Sequence, residues 1–194
     1  MRKLFALSFI VLLFGISAWA QEIRHEFTVQ GSGFFPKQTT QGALTNKPTY
    51  SGGVMAGYRF NLNKWLAVEG DYDYSRRGEK YLTSSNTARV ATNVHGITGV
   101  GVVKLPMLQR FRPFVLAGGG AVVFDPRNNY GVSRQTKGAL VYGGGGDYPI
   151  MTHVALRAQY RGFVYKIPDF NNSTLKIDKL THAAVPSAGL VLTF

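Results

Sequence analysis

Carboxylate and guanidinium side chains recur at alternate positions in two stretches of this chain. Glu69, Asp71 and Asp73 are separated by Gly70 and Tyr72, while Arg157, Gln159 and Arg161 are separated by Ala158 and Tyr160. Arg59 stands between Tyr58 and Phe60, and Asp147 between Gly146 and Tyr148. In an extended strand this spacing puts the polar groups on one face and the apolar ones on the other. A charged face shut away from water must find opposite charge, because an isolated buried ion is costly. The chemistry expected of Glu69, Asp71, Asp73, Asp147, Arg59, Arg157 and Arg161 is therefore mutual ion pairing. Glu69 is expected opposite Arg157 and Asp73 opposite Arg161, with Arg59 and Asp147 joining the lower layer.

Other constellations are weaker. His25, His95, His153 and His182 are scattered at no metal-ligand spacing, so no metal and no cofactor is expected. The runs Gly118-Gly119-Gly120 and Gly143-Gly144-Gly145-Gly146 are not followed by Lys-Ser or Lys-Thr and open no helical pattern. They read as relief of crowding in strongly bent strands, not as a phosphate loop. With no cysteine, the chain has no disulfide or thiolate chemistry.

The elements that must hold the charges are short stretches of period two. Eight are expected, spanning 26–35, 50–61, 65–74, 90–104, 110–124, 137–148, 153–165 and 182–194. The fourth and fifth are apolar on both faces, which leaves their orientation open. The connections at 36–49, 75–89, 125–136 and 166–181 are long and polar; those at 61–64, 105–109 and 149–152 are short. Long loops at one mouth and tight turns at the other are the pattern of an all-β, closed, eight-stranded antiparallel up-and-down transmembrane barrel. A water-soluble barrel of the same period would put its apolar residues inside. Here the polar face carries ion pairs, Gly and Ser, and the opposite face carries Tyr, Phe, Leu and Val, which fits the inverted arrangement. Phe60, Trp65, Tyr148 and Phe194 are expected as an aromatic girdle at the turn end, with Phe35, Tyr50, Tyr72 and Tyr74 near the loop end.

The first twenty residues support the same destination. A basic start is followed by an apolar run and an Ala-x-Ala site at Ala18 and Ala20, so 1–20 reads as a signal peptide and 21–194 as the barrel domain. No second apolar run is long enough for a membrane helix. Taking Arg2 and Lys3 from 22 basic residues leaves 20 against 10 acidic ones. The long loops hold most of that excess, including Arg76, Arg77, Lys80, Arg127, Arg134, Lys176 and Lys179, as expected of contact with anionic groups such as lipopolysaccharide phosphates. Export excludes nucleic acid as the partner. The chain ends on a period-two strand, from Ser187 to an aromatic Phe194, where an ordinary terminus would be polar and frayed.

The runs Trp65–Tyr74, Arg112–Gly120 and Leu156–Arg161 resemble the small outer-membrane β-barrel proteins of the OmpA-like, OmpX-like and opacity-protein type. The resemblance spans the whole chain after residue 20 and implies a bacterial outer-membrane location. It also implies that Ser187, Gly189, Leu192 and Phe194 form the signal read by the barrel-assembly machinery. The periplasmic peptidoglycan-binding domain of full OmpA-type proteins has no counterpart in this sequence. Barrel enzymes that deacylate lipid A carry a His-x-Ser arrangement, but the four histidines are followed two places on by Phe27, Ile97, Ala155 and Ala184. No enzyme is expected. The expected role is structural or surface-interacting, through basic loops facing outer-membrane lipid, lipopolysaccharide or a further surface ligand. The alternative is a narrow porin. For the lumen charges, a static polar plug is expected over a switchable gate, because eight strands leave little open bore.

Overall fold

A computed structural model of the protein describes residues 25–41, 44–83, 86–127, 133–168 and 179–194. The expected signal segment, with Ala18 and Ala20, lies outside them, as does Lys176. The described strands are β1 (His25–Pro36), β2 (Thr39–Gln41), β3 (Leu44–Pro48), β4 (Ser51–Asn61), β5 (Leu66–Thr83), β6 (Asn86–Lys104), β7 (Arg112–Pro126), β8 (Gln135–Met151), β9 (Val154–Lys166) and β10 (Leu180–Thr193). Eight of them close into an antiparallel barrel in the order β1-β4-β5-β6-β7-β8-β9-β10, with β10 returning to β1. Closure leaves the wall without an open edge, which a barrel in lipid requires.

The alternation of the sequence sets the two faces of the wall. Along β1, Phe27, Val29 and Phe35 are exposed, whereas Glu26, Thr28, Gln30, Ser32 and Phe34 are buried in the lumen. Exposed Val68 and Tyr72 on β5, Leu156 and Tyr160 on β9, and Leu190 and Leu192 on β10 continue the outward apolar band. The lumen itself has two sides. Val94, Val100, Val102, Phe114, Leu116, Val122 and Val141, from β6 to β8, make up much of an apolar cluster that also takes in Phe34, Met55, Phe163 and Tyr165. The polar groups of β1, β4, β5 and β9 fill the other side. That division explains why β6 and β7 are apolar on both faces, one face meeting lipid and the other the lumen core.

The tight turns have local causes. Asn63 Oδ1 accepts the N–H groups of Trp65 and Leu66, each at 2.8 Å, which fixes the β4–β5 turn. Leu108 and Phe111 exchange two 2.9 Å backbone hydrogen bonds across the β6–β7 turn, where Gln109 takes a left-handed φ of 57°. Trp65, Tyr148 and Phe194 are exposed at this mouth with Phe60 half-buried; Phe35, Tyr50, Tyr72 and Tyr74 lie toward the other, with Phe35 and Tyr50 ring centroids 5.3 Å apart.

Two of the long connections are more ordered than the sequence suggests. Where a loop is expected over 75–89, β5 and β6 stay paired from Arg76↔Asn93 out to Thr83↔Asn86. Part of the connection over 36–49 forms the β2–β3 hairpin, and β3 pairs with the outer part of β5 from Thr45↔Leu82 to Pro48↔Glu79. An extended strand beyond the bilayer needs no apolar face, so it loses the alternation by which the spanning part is recognised.

Candidate functional site: a charged lumen

The turn-end half of the lumen holds a compact ion network. Arg157, on β9, donates from Nε and Nη2 to the two carboxylate oxygens of Asp147 on β8, at 2.6 and 2.8 Å. This fork-on-fork contact follows from register, because Asp147 and Arg157 are direct cross-strand partners. Arg157 Nη2 also reaches Glu26 Oε2 at 2.8 Å, and its Nη1 reaches Glu69 Oε2 at 3.3 Å. Arg59 and Glu69 are likewise cross-strand partners, and Arg59 Nε donates to Glu69 Oε2. Arg161 donates from Nη2 to Glu69 and from Nη1 to Asp71 Oδ2, the latter at 2.7 Å. Lys104 and Asn61 cap the network at the mouth, both donating to Glu26 Oε1, at 3.0 and 2.9 Å.

Four cations, Arg59, Lys104, Arg157 and Arg161, thus meet four carboxylates, Glu26, Glu69, Asp71 and Asp147. Arg59 and Arg161 have no solvent exposure and Arg157 has 1%. Such depth is tolerable because the charges balance, although Arg59 Nη1 and Nη2, Arg161 Nε and Asp71 Oδ1 make no hydrogen bond. The Phe114 ring lies 4.4 Å from the Arg59 guanidinium and 5.0 Å from that of Arg157, and closes the apolar side of the layer. Above it, Gln159 Nε2 and Ser187 Oγ both donate to Gln30 Oε1, at 3.2 and 3.1 Å, beside the sulfur of Met55.

All seven charged residues singled out in the sequence face the lumen, but one partner differs. Arg161 sits on Asp71 and Glu69, one step lower than the expected Asp73. Strand stagger in a sheared barrel displaces heights that a flat strand count makes equal. Asp73 remains buried nearer the outer mouth, with no hydrogen bond at Oδ2. Gln159 lines the lumen between Arg157 and Arg161 as its spacing implies, whereas Glu26, Lys104, Asn61 and Gln30 join the lining without having been expected there. Glu26 could have been found, since it alternates with outward Phe27 at the strand start.

The expected basic surface needs one correction. Arg77 is 5% exposed and lies over Phe34 and Phe124, at 4.2 and 5.0 Å from their ring centroids. As the next inward position after Ser75 on an unbroken β5, it points into the outer lumen instead of toward solvent. Arg76, Arg127, Arg134 and Lys179 are exposed and Lys80 is half-buried. Arg76 Nε donates to Tyr74 Oη at 2.8 Å.

At the closing strand, Ser187 and Gly189 lie on the lumen side, and Leu192 and Phe194 face outward. The backbone of Phe194 exchanges hydrogen bonds of 2.9 and 3.0 Å with His25, whose ring stacks on that of Phe194 at 6.0 Å. Three histidines lie beside tyrosines on the outside of the wall: His25 with Tyr58 at 2.5 Å, His95 with Tyr72 at 2.7 Å and His182 with Tyr142 at 3.0 Å. Only cross-strand register brings these pairs together, so spacing along the chain could not show them. Among the described residues no three His, Asp or Glu side chains converge as a metal-binding group.

No curated protein matches the sequence. Solved structures are similar in fold. OprG, an outer membrane protein of Pseudomonas aeruginosa, aligns with a TM-score of 0.67 at 12% identity over 89% of this chain and 96% of its own. Neisserial surface protein A gives 0.59 at 16% identity, over 87% and 97%. Ail, the attachment invasion locus protein of Yersinia pestis, gives 0.57 at 15% identity, over 90% and 100%, in a complex with the heparin analogue sucrose octasulfate. A family model described as the outer membrane protein beta-barrel domain matches residues 6–184. The chain belongs to that family, and its place is the bacterial outer membrane.

Proposed function

We propose that the protein is a closed, structural barrel that works through its outer surface, by contact between its basic loops and anionic groups. The observation that carries this reading is the neutral, hydrogen-bonded charge layer across the lumen, which leaves the rim as the surface available to partners. Arg76, Arg127, Arg134, Lys37 and Lys179 are exposed there and suit phosphate or sulfate groups. The polysulfated ligand of Ail, on a barrel of the same fold, is in keeping with that chemistry. Lipopolysaccharide phosphates are the anions nearest at hand.

The test is binding of the purified protein to vesicles with and without lipopolysaccharide, as salt is raised. Stronger binding to the anionic vesicles at low salt, fading as ionic strength shortens the Debye length, is expected. Equal binding to neutral and anionic vesicles would remove the surface reading. The role is non-enzymatic in this reading, and release of acyl chains from purified lipopolysaccharide would contradict it.

A further inference from the structure

On the lipid-facing side of the outer rim, a groove of about 410 Å³ runs between the β1–β2 connection and the β9–β10 wall. Its walls are built from Lys37, Thr39, Thr40, Val164, Leu180 and His182, and among the described residues no carboxylate lines it. The two sides of the groove are tied together by hydrogen bonds to backbone carbonyls. Lys37 N–H donates to the His182 carbonyl at 2.8 Å, Thr181 Oγ1 donates to the Lys37 carbonyl at 3.2 Å, and Lys179 Nζ donates to the Thr40 carbonyl at 2.8 Å.

The groove is amphipathic along its length. Val164 is the cross-strand partner of both Leu140 and His182, and Leu180 that of Lys166. Leu140 and Leu180 are 68% and 64% exposed, among the most exposed aliphatic side chains of the wall. Tyr142 Oη lies 3.0 Å from His182 Nε2, which ties the imidazole to the β8–β9 wall over Gly162 beside the groove. Lys37 lines the groove, exposed Lys166 stands beside it as the cross-strand partner of Leu180, and Lys179 precedes Leu180 on the same rim. An apolar wall leading up to a ring of cations, on the loop side of an outer-membrane barrel, matches one kind of molecule: a lipid with a phosphorylated headgroup.

We propose that this groove seats one phosphorylated lipid of the outer leaflet, with its phosphate between Lys37 and Lys166 and an acyl chain along Leu140, Val164 and Leu180. The proposal rests on the basic-rim reading above and gives it a location and a lipid class.

The test uses the full chain in detergent micelles, titrated with bis-phosphorylated lipid A and with its dephosphorylated form, and bound lipids counted by native mass spectrometry. One tightly held lipid A per chain is expected. The Lys37→Gln/Lys166→Gln protein should bind it about thirtyfold more weakly, at roughly 1 kcal/mol per lysine near an anionic surface. A Lys64→Gln/Arg110→Gln protein loses the same charge at the opposite mouth and should bind as the parent does. Equal loss in both variants, equal binding of the dephosphorylated lipid, or displacement by inorganic phosphate at the lipid's own concentration would overturn the groove while leaving the basic rim standing. No lipid A binding by the parent protein would overturn both.

Discussion

At the scale of single residues, Glu69 is the hinge of the lumen network, because it accepts hydrogen bonds from all three arginines of that network, Arg59, Arg157 and Arg161. Glu69→Gln leaves Arg59, Arg157 and Arg161 with one carboxylate too few in a site they cannot leave. A loss of about 3–5 kcal/mol is expected, read as a lower denaturant midpoint for unfolding from lipid vesicles. Asp147→Asn should cost less, since Arg157 keeps Glu26 and Glu69. Equal midpoints for the parent and Glu69→Gln would show that the network contributes no stability. Phe194 acts differently. It is 68% exposed, stacks on His25 and ends the strand that closes the wall. Deleting Phe194 should lower the fraction of chain assembled in the outer membrane without changing lipid binding by the molecules that do fold. Normal assembly without it would remove its role as the recognition end.

At the scale of elements, the strands of the spanning region were legible because lipid on one side and charge on the other impose an unbroken period of two. The inward set from Arg59 to Arg161 could be read from that period alone. The partner of Arg161 could not, because shear is a property of the closed sheet and not of any strand. The β5–β6 arm was hidden for a related reason: past Ser75 the strand leaves lipid, and Arg76-Arg77-Gly78-Glu79-Lys80 looks like loop. Arg77 was misplaced with it. The glycines of β8 relieve crowding, as the runs in the sequence lead one to expect. A Cβ on Gly145 would stand 2.6 Å from Gln159 Cβ, across the tightly curved β8–β9 pair, whereas one on Gly70 would meet nothing within 4 Å. Gly145→Val is therefore expected to destabilise by about 1–3 kcal/mol through overpacking, and Gly70→Ala to stay within about 0.5 kcal/mol as a surface change. Thermal unfolding of the two variants side by side checks the difference; equal melting would mean that the lumen is looser than its packing suggests.

At the scale of the whole molecule, 20 basic against 10 acidic residues after residue 20 coexist with a neutral lumen layer of four cations and four carboxylates. The excess therefore lies outside that layer, at the mouths and in the loops, where it can act on partners without opening the bore. The apolar side of the lumen, from Val94 to Val141, and the charged side from Glu26 to Arg161 fill the interior between them. The central claim is that this barrel is closed. Planar-bilayer recording of the purified protein tests it most directly: no stable single-channel steps are expected from the parent protein. Stable steps in the parent, changed in size or frequency by Glu69→Ala, would contradict the closed barrel and make the same ion network a gate.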